Sequence, residues 1–265
     1  MPLRAAARQT GAMDVHVKTR ADAPTGFFAA EAAGLRWLAT AGGARVVSVR
    51  AVADDGITLD HIPAARPTAD AADAFGVALA ATHAAGAAAF GSPPPGWEGD
   101  IFIGRRSQPA RATPTWGAFY AGQRVEPFVP LAVEAGSLSA SGAEIVRRVC
   151  ALIAEGAFDD EKPPARLHGD LWAGNVLWSP EGVVLIDPAA HGGHRETDLA
   201  MLALFGCPFL DRILAAYDRA RPLRDGWRER VPLHQLHPLA VHAAGHGPSY
   251  GRALVEAAEQ TLALV

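Results

Sequence analysis

The sequence predicts an α+β protein with a small strand-rich beginning and a larger helical remainder. Three observations carry that expectation. The first fifth of the chain is strand-rich, with period-two alternation at Val15 to Lys18, the rest repeats apolar residues at helical spacing, and the helical stretch is interrupted once by a polar run followed by a hairpin. At 265 residues the chain can bury a sizeable core, as one large domain or as two lobes that share a cleft.

The elements follow in order. In Val15-His16-Val17-Lys18 the two valines face one side and His16 and Lys18 the other, which is a strand with one polar face. After a turn at Ala23-Pro24-Thr25-Gly26, residues Phe27 to Thr40 place Phe28, Ala32, Leu35 and Leu38 on one helical stripe, with Glu31 in the early part and a stop near Gly42-Gly43. Arg45 to Val52 and Ile57 to Ile62 read as strands around the turn Asp54-Asp55-Gly56, and the strand-rich part ends near Asp60 to Pro63. A helix then runs from a cap at Thr68 or Asp70 through Phe75, Leu79 and Thr82 to Gly86.

Gly91 to Gly104 reads as a loop, and Trp116, Phe119, Tyr120 and Arg124 share a helical face. Ser141 to Glu144 form a capping box that opens a helix with the stripe Ile145, Val149, Leu152, Ile153. The hairpin Val176 to Ile186 turns at Ser179-Pro180-Glu181-Gly182, and helices are expected over 196–205, 209–219, 232–244 and 252–264.

Composition narrows the function classes. A net charge of −4 without basic blocks argues against a nucleic-acid partner, because phosphate backbones call for a concentrated positive face. No run reaches membrane-spanning length, and the opening arginines lack the apolar stretch of a secretory signal, so the expected location is the cytoplasm. The two cysteines, Cys150 and Cys207, lack metal-ligand spacing and read as buried small hydrophobes. Lys18 and Lys162 are the only lysines in an arginine-rich chain, so a lysine on an apolar strand marks a position that wants a compact ammonium.

The chemistry concentrates in Arg166-Leu167-His168-Gly169-Asp170-Leu171-Trp172-Ala173-Gly174-Asn175, followed after the hairpin by Leu185-Ile186-Asp187-Pro188. Two adjacent loops deliver three oxygen-bearing side chains. The five-residue step from Asp170 to Asn175 matches the catalytic loop of protein kinases, and Asp187 follows a hairpin as the metal-binding Asp of those enzymes does. Oxygen ligands suit magnesium, so Asn175 and Asp187 are expected at metal, and Asp170 is expected to take the proton of an attacking hydroxyl. Lys18 on its strand and Glu31 in the next helix match the ion pair that orients the α and β phosphates of ATP.

At VHVK, HGDLWAGN and IDPAAHGGHRETDLAMLALFG the chain resembles the fructosamine kinase (ketosamine-3-kinase) family, within the aminoglycoside and choline kinase group. The resemblance runs from about Val15 to Gly251, and Trp172 with the string Asp187-Pro188-Ala189, Gly193, Arg195-Glu196, Asp198 to Met201 distinguishes it from aminoglycoside kinases. It implies a two-lobed protein-kinase-like fold, with a small lobe over 1–60, a helical lobe over 61–265, and a hinge at Asp60, His61 and Ile62 that meets adenine through backbone groups.

The resemblance further implies ATP and Mg2+ as cofactors and transfer of phosphate to the 3-hydroxyl of a ketosamine, either a small glycated amine or a glycated lysine side chain. Trp172, His191, Arg195 and Glu196 are expected near that substrate, with His168 and Asp198 supporting the catalytic loop from behind. Aminoglycosides or other amino alcohols are the alternative acceptors. One departure stands out: the family places a strand and a glycine-containing phosphate-covering loop before VHVK, yet only Met1 to Asp14 precede it here, with Gly11 the single glycine and Leu3 to Gln9 enough for one strand. The expectation is therefore either a start further upstream or weak cover for the phosphates, the latter pointing to slow turnover or to a pseudokinase acting as a binding module.

Two other motifs are weaker. Gly247 to Gly251 fits GxSxG, but a nucleophile elbow needs a preceding strand, so an interhelical turn is expected. His234, His237, His242 and His246 lie at helical spacing, and a helix packing face is the commoner outcome than zinc.

Overall fold

The computed structural model describes residues 6–7 and 14–265. Its first sheet has the order β1-β2-β5-β4, built from β1 (Ala6–Ala7), β2 (Val15–Thr19), β4 (Val49–Ala53) and β5 (Gly56–Asp60), every neighbour antiparallel. β1 pairs Ala6 with Val17 and Ala7 with His16, so one strand does precede the Lys18 strand. Gly11 lies outside the described residues.

Helix α1 (Phe27–Ala39) packs on this sheet because its stripe Phe28, Ala32 and Leu35 meets Ile57 and Leu59 in one apolar cluster. Burying a side chain such as Leu35 stabilises the packing by roughly 1.5–3 kcal/mol. The segment read as one strand from Arg45 is two, since β3 (Arg45–Val46) leaves the first sheet and pairs in parallel with β10 (Gly182–Leu185). β9 (Val176–Ser179) completes that three-stranded sheet. The hairpin that follows the polar run is thereby joined to the strand-rich part of the chain.

The remainder is helical: α2 (Ala69–Ala84), α3 (Trp116–Phe119), α4 (Val129–Glu134), α5 (Ala140–Ala154), α6 (Arg195–Leu204), α7 (Leu210–Ala220), α8 (Val231–Ala243) and α9 (Pro248–Leu262). Thr68 caps α2, its hydroxyl accepting from the Ala71 amide. α5 opens earlier than its expected capping box, because Ser139 rather than Ser141 accepts from the Gly142 amide. After α3 the chain widens into a π-helical turn over Tyr120–Val125, which carries Arg124 into the interior.

Two expectations about loops are corrected. Residues 91–104 are not loop throughout, for β6 (Ile101–Ile103) pairs with β7 (Arg106–Gln108) as a hairpin. Residues 247–251 are mostly helix: α8 precedes them, Gly247 breaks the chain at φ 102°, and Pro248 starts α9, as its missing amide hydrogen allows. Ser249 therefore sits in a first helical turn without the strand that an elbow requires. Cys150 is fully buried and Cys207 only partly, and burial pushes their thiols up to about 12 and about 11. Among the described residues, no helix is long and apolar enough to cross a membrane.

Candidate active site

A second short ladder sets the site. β8 (Ala165–Leu167) pairs antiparallel with β11 (His191–Gly193), so the chain leaving β8 at His168 and the chain approaching β11 from Leu185 run side by side. Asp170, Asn175 and Asp187 are thus brought together by two pairings, β9 with β10 and β8 with β11. Gly169 has φ +81°, and a Cβ there would stand 2.1 Å from the Ala189 carbonyl oxygen, so only glycine lets the two loops approach. Asp187 itself has φ 53°, a conformation uncommon for a non-glycine residue and found disproportionately at functional sites.

Lys18 Nζ donates to Glu31 Oε1 and Oε2 at 2.9 and 3.0 Å and to Asp187 Oδ1 at 2.8 Å. Burial alone would lower Lys18, but the Glu31 and Asp187 carboxylates outweigh it and hold the ammonium above its ordinary value. Glu31 moves up as well, chiefly through burial, because it shares that single cation with Asp187. Asn175 Nδ2 donates to the Asp170 carbonyl at 2.8 Å and to Asp170 Oδ2 at 3.2 Å. Its amide oxygen accepts no hydrogen bond among the described residues. Burial pushes Asp170 up to about 7, against the pull of the Asn175 hydrogen bond.

Behind the loop, Asp198 is buried and accepts from the His168 and Gly169 amides at 2.8 and 3.0 Å and from His83 Nε2 at 3.1 Å. Burial would raise its carboxyl, but His83, His168 and the Gly169 amide hold it below the usual range. His83 is fixed in turn by the Tyr217 hydroxyl at 2.8 Å from Nδ1. His168 bridges the two loops, Nε2 to the Ile186 carbonyl at 2.9 Å and Nδ1 accepting from the Asp170 amide at 3.3 Å.

A cavity of about 320 Å³ joins Lys18, Glu31, Asp170, Asn175 and Asp187 with Trp172, which is 41% exposed. A Cβ at Gly174 would strike the Trp172 ring at 2.3 Å, so the glycine lets the indole lie over the loop. Arg20, Phe27, Phe102 and Arg105 line the same cavity, and sequence reasoning missed all four. The run Ile101-Phe102-Ile103-Gly104-Arg105, β-branched and aromatic residues before a glycine, was a strand-and-turn signal inside what composition marks as loop.

Three residues expected near the substrate sit elsewhere. His191 is buried, with Nδ1 at 2.7 Å from the Ala189 carbonyl and Phe119 beside its ring, because β11 turns inward against β8. Arg195 is spent on the Arg221 and Pro222 carbonyls at 3.0 and 2.5 Å. Glu196 is buried and held by Arg230 through two hydrogen bonds of 2.8 and 3.0 Å.

The residues expected to form a hinge, Asp60, His61 and Ile62, stand at the end of β5, outside this cavity. The Asp60 carboxylate is paired with Arg50, the His61 amide donates to the Asp14 carbonyl at 2.9 Å, and Ile62 packs on the α1 cluster.

His234 does acquire a carboxylate neighbour. His194, Glu196 and His234 bring ligand atoms within 4.8 Å of one another. The set does not suit a metal, because Arg230 covers both Glu196 oxygens, His194 takes Asp160 and the Glu196 amide, and His234 Nδ1 takes the Thr197 hydroxyl.

The family model described as fructosamine kinase matches residues 4–264. The chain belongs to the fructosamine kinase family. Among its relatives, a probable ketoamine kinase of Enterococcus faecium is 35% identical over 161 residues, 60% of this chain and 58% of that protein. A probable ketoamine kinase of Thermus thermophilus is 33% identical over 241 residues, 90% of this chain and 84% of that protein. A crystal structure of a protein assigned as a fructosamine-3-kinase from Thermobifida fusca superposes with a TM-score of 0.88 at 43% identity, covering 98% of this chain and 93% of that one. The choline kinase LicA of Streptococcus pneumoniae superposes at TM-score 0.62 with 16% identity, over 98% of this chain and 90% of that one, a likeness of fold. As a fructosamine kinase family member the chain is a phosphotransferase with the α+β protein-kinase-like fold.

Proposed function

We propose that the chain transfers the γ-phosphate of ATP to the 3-hydroxyl of a ketosamine. The observation that carries this is the meeting of Asp170, Asn175, Asp187 and the Lys18–Glu31 pair in one open cavity. Within this group the carboxylates of Glu31, Asp170 and Asp187 outnumber the Lys18 ammonium, a net charge of about −2 when all are ionised, which a divalent cation would balance. Asp187 keeps 36% of its side chain exposed, and both it and the Asn175 amide offer hard oxygen donors, so these two residues would hold magnesium. The ion, when bound, supplies positive charge to the phosphate oxygens.

The chain's own residues do the rest. Lys18, fixed by Glu31, points at the α and β phosphates. Asp170, fixed through Asn175, accepts the proton as the acceptor oxygen bonds to the γ-phosphorus and the bond to the β-phosphate oxygen breaks, releasing ADP. Trp172 covers the acceptor's sugar face. At the boundary between the strand-rich lobe, 1–60, and the helical lobe, 61–265, the adenine would meet backbone groups of Asp60, His61 and Ile62. A phosphate at C3 leaves far more readily than hydroxide, so its elimination followed by hydrolysis frees the amine and reverses glycation.

The test is phosphorus NMR of ATP with a fructosyl-amine, with kanamycin and choline as competing acceptors. Formation of a 3-phosphate, followed by free phosphate and amine, is the expected result. Faster turnover of kanamycin or choline would move the assignment to an aminoglycoside or amino-alcohol kinase, and no ATP consumption with any acceptor would make the chain a binding module.

A further inference from the structure

One end of the cavity carries two cations that phosphoryl transfer leaves without a task. Arg20 follows β2 directly and is only 11% exposed. Its Nε donates to Asp22 at 3.1 Å and its guanidinium lies 5.1 Å from the Phe27 ring centroid, yet Nη1 is buried and meets no acceptor among the described residues. A buried charged donor left unmatched is unfavourable, and a ligand oxygen would remove that cost. Arg105, in the turn between β6 and β7, lines the same cavity and lies close enough to Asp22 to help hold that carboxyl low, after Arg20. Phe27 and Phe102, with ring centroids 5.2 Å apart, join the two elements.

The direction of β2 orders what lies along the cleft. Val15 pairs with Asp60 at the hinge end, and Thr19 pairs with Gly56 at the far end. At about 3.3 Å per strand residue, Arg20 stands roughly 7 Å beyond Lys18, away from the hinge. If Lys18 meets the nucleotide's phosphates, Arg20 lies past them, on the side where the acceptor enters. Charge separates the same way: the cluster around Asp170 and Asp187 is negative, whereas Arg20 and Arg105 both act on the Asp22 carboxylate. An anionic group on the acceptor would be repelled at the first and held at the second, and a guanidinium fork matches a carboxylate.

We infer that Arg20 and Arg105 form a carboxylate subsite on the acceptor side of the cleft, selecting ketosamines of amino acids over those of neutral amines. This rests on the proposed ketosamine kinase reading. The experiment compares kcat/KM for fructosyl-glycine and fructosyl-glycinamide, which differ in that one charge, in the wild type, Arg20→Gln and Arg105→Gln, with the KM for ATP measured alongside. The glycine adduct is expected to be favoured about ten- to a hundredfold, a span typical of one charged hydrogen-bonded group, with the ratio falling toward one in both variants and the ATP KM unmoved. Arg105 is exposed at a hairpin turn, so its variant keeps the test decisive should Arg20→Gln fail to fold.

Equal turnover of the two adducts by the wild type would overturn the subsite while leaving the kinase reading standing. A rise in ATP KM that matches the loss in acceptor kcat/KM would also overturn it, by assigning the arginines to the nucleotide's phosphates. No turnover of either adduct would remove the ketosamine reading itself, and the subsite with it.

Discussion

Two clusters of carboxylates and cations in this molecule, one around Glu196 and one around Asp170, differ in how completely they are closed. Around Glu196 every strong group has its match: Arg230 covers both carboxylate oxygens, and the His194 and His234 rings stack at 4.8 Å with their nitrogens engaged. Around Asp170 the cluster stays open, with a carboxyl raised to about 7, an amide oxygen unmatched among the described residues, and two carboxylates sharing one ammonium. The closed cluster is what a fold does with buried charge to hold itself together. The open one is what a site does when a ligand is to finish it, and unmet demand distinguishes the two better than residue type does.

Breaking the open cluster should cost rate and spare the fold. Asp170→Ala is expected to lower kcat about a hundred- to ten thousandfold, with nucleotide affinity by calorimetry little changed. A kcat within threefold of wild type would remove Asp170 from proton transfer.

Breaking the closed cluster should do the reverse. Arg230→Met leaves Glu196 buried without its main partner and should destabilise the protein by about 3–5 kcal/mol in urea unfolding, while kcat per folded molecule holds. A midpoint shift equivalent to under about 1 kcal/mol would mean that the pair is not needed for stability.

Acid sharpens the same contrast. Burial, only partly offset by Glu196, lowers His234 to about 4, so between that value and its ordinary 6.5 the unfolded chain binds a proton that the folded chain does not. Stability therefore rises with pH through this window and is lost as pH falls from about 6.5 to 4, by a few kcal/mol for this one group. Buried His168, His191 and His237, also lowered mainly by burial, add in the same direction. Glu196, held at about 2 against its ordinary 4.5 by His234 and Arg230 despite burial, adds a second loss as pH drops from 4.5 toward 2. Thermal melts across pH should be shallower over 4–6.5 in His234→Gln, and an unchanged slope would exclude His234 as a contributor.

The smallest effect belongs to a surface pair. Glu181, 77% exposed and bonded to Arg45 at 2.8 Å, should shift stability by less than about 1 kcal/mol as Glu181→Ala, with activity intact. A larger loss in the same urea titration would show that the β3–β10 junction depends on this ion pair.

The candidate catalytic loop was legible in sequence because its information is local. A five-residue step and a hairpin put Asp170, Asn175 and Asp187 in one short stretch of sequence, and Lys18 and Glu31 follow from one strand face and one helix. Asp198 could be assigned behind the loop, but not the reason it stays charged, since His83 and Tyr217 arrive from α2 and α7. His191, Arg195 and Glu196 misled by proximity: they follow Asp187 closely, yet the pairing of β11 with β8 turns His191 inward, and the Arg221 and Pro222 carbonyls and the Arg230 side chain engage Arg195 and Glu196. Arg20 and Arg105 were missed for the opposite reason, since only the packing of Phe27 on Phe102 brings their elements together.

The parallel pairing of β3 with β10 carries a consequence for biosynthesis. Arg45 is made long before Val184, so the early half must wait on the ribosome, its strand edge unsatisfied, until the later hairpin emerges. A chaperone that shields that waiting edge would raise the yield of soluble product more than one that acts after release.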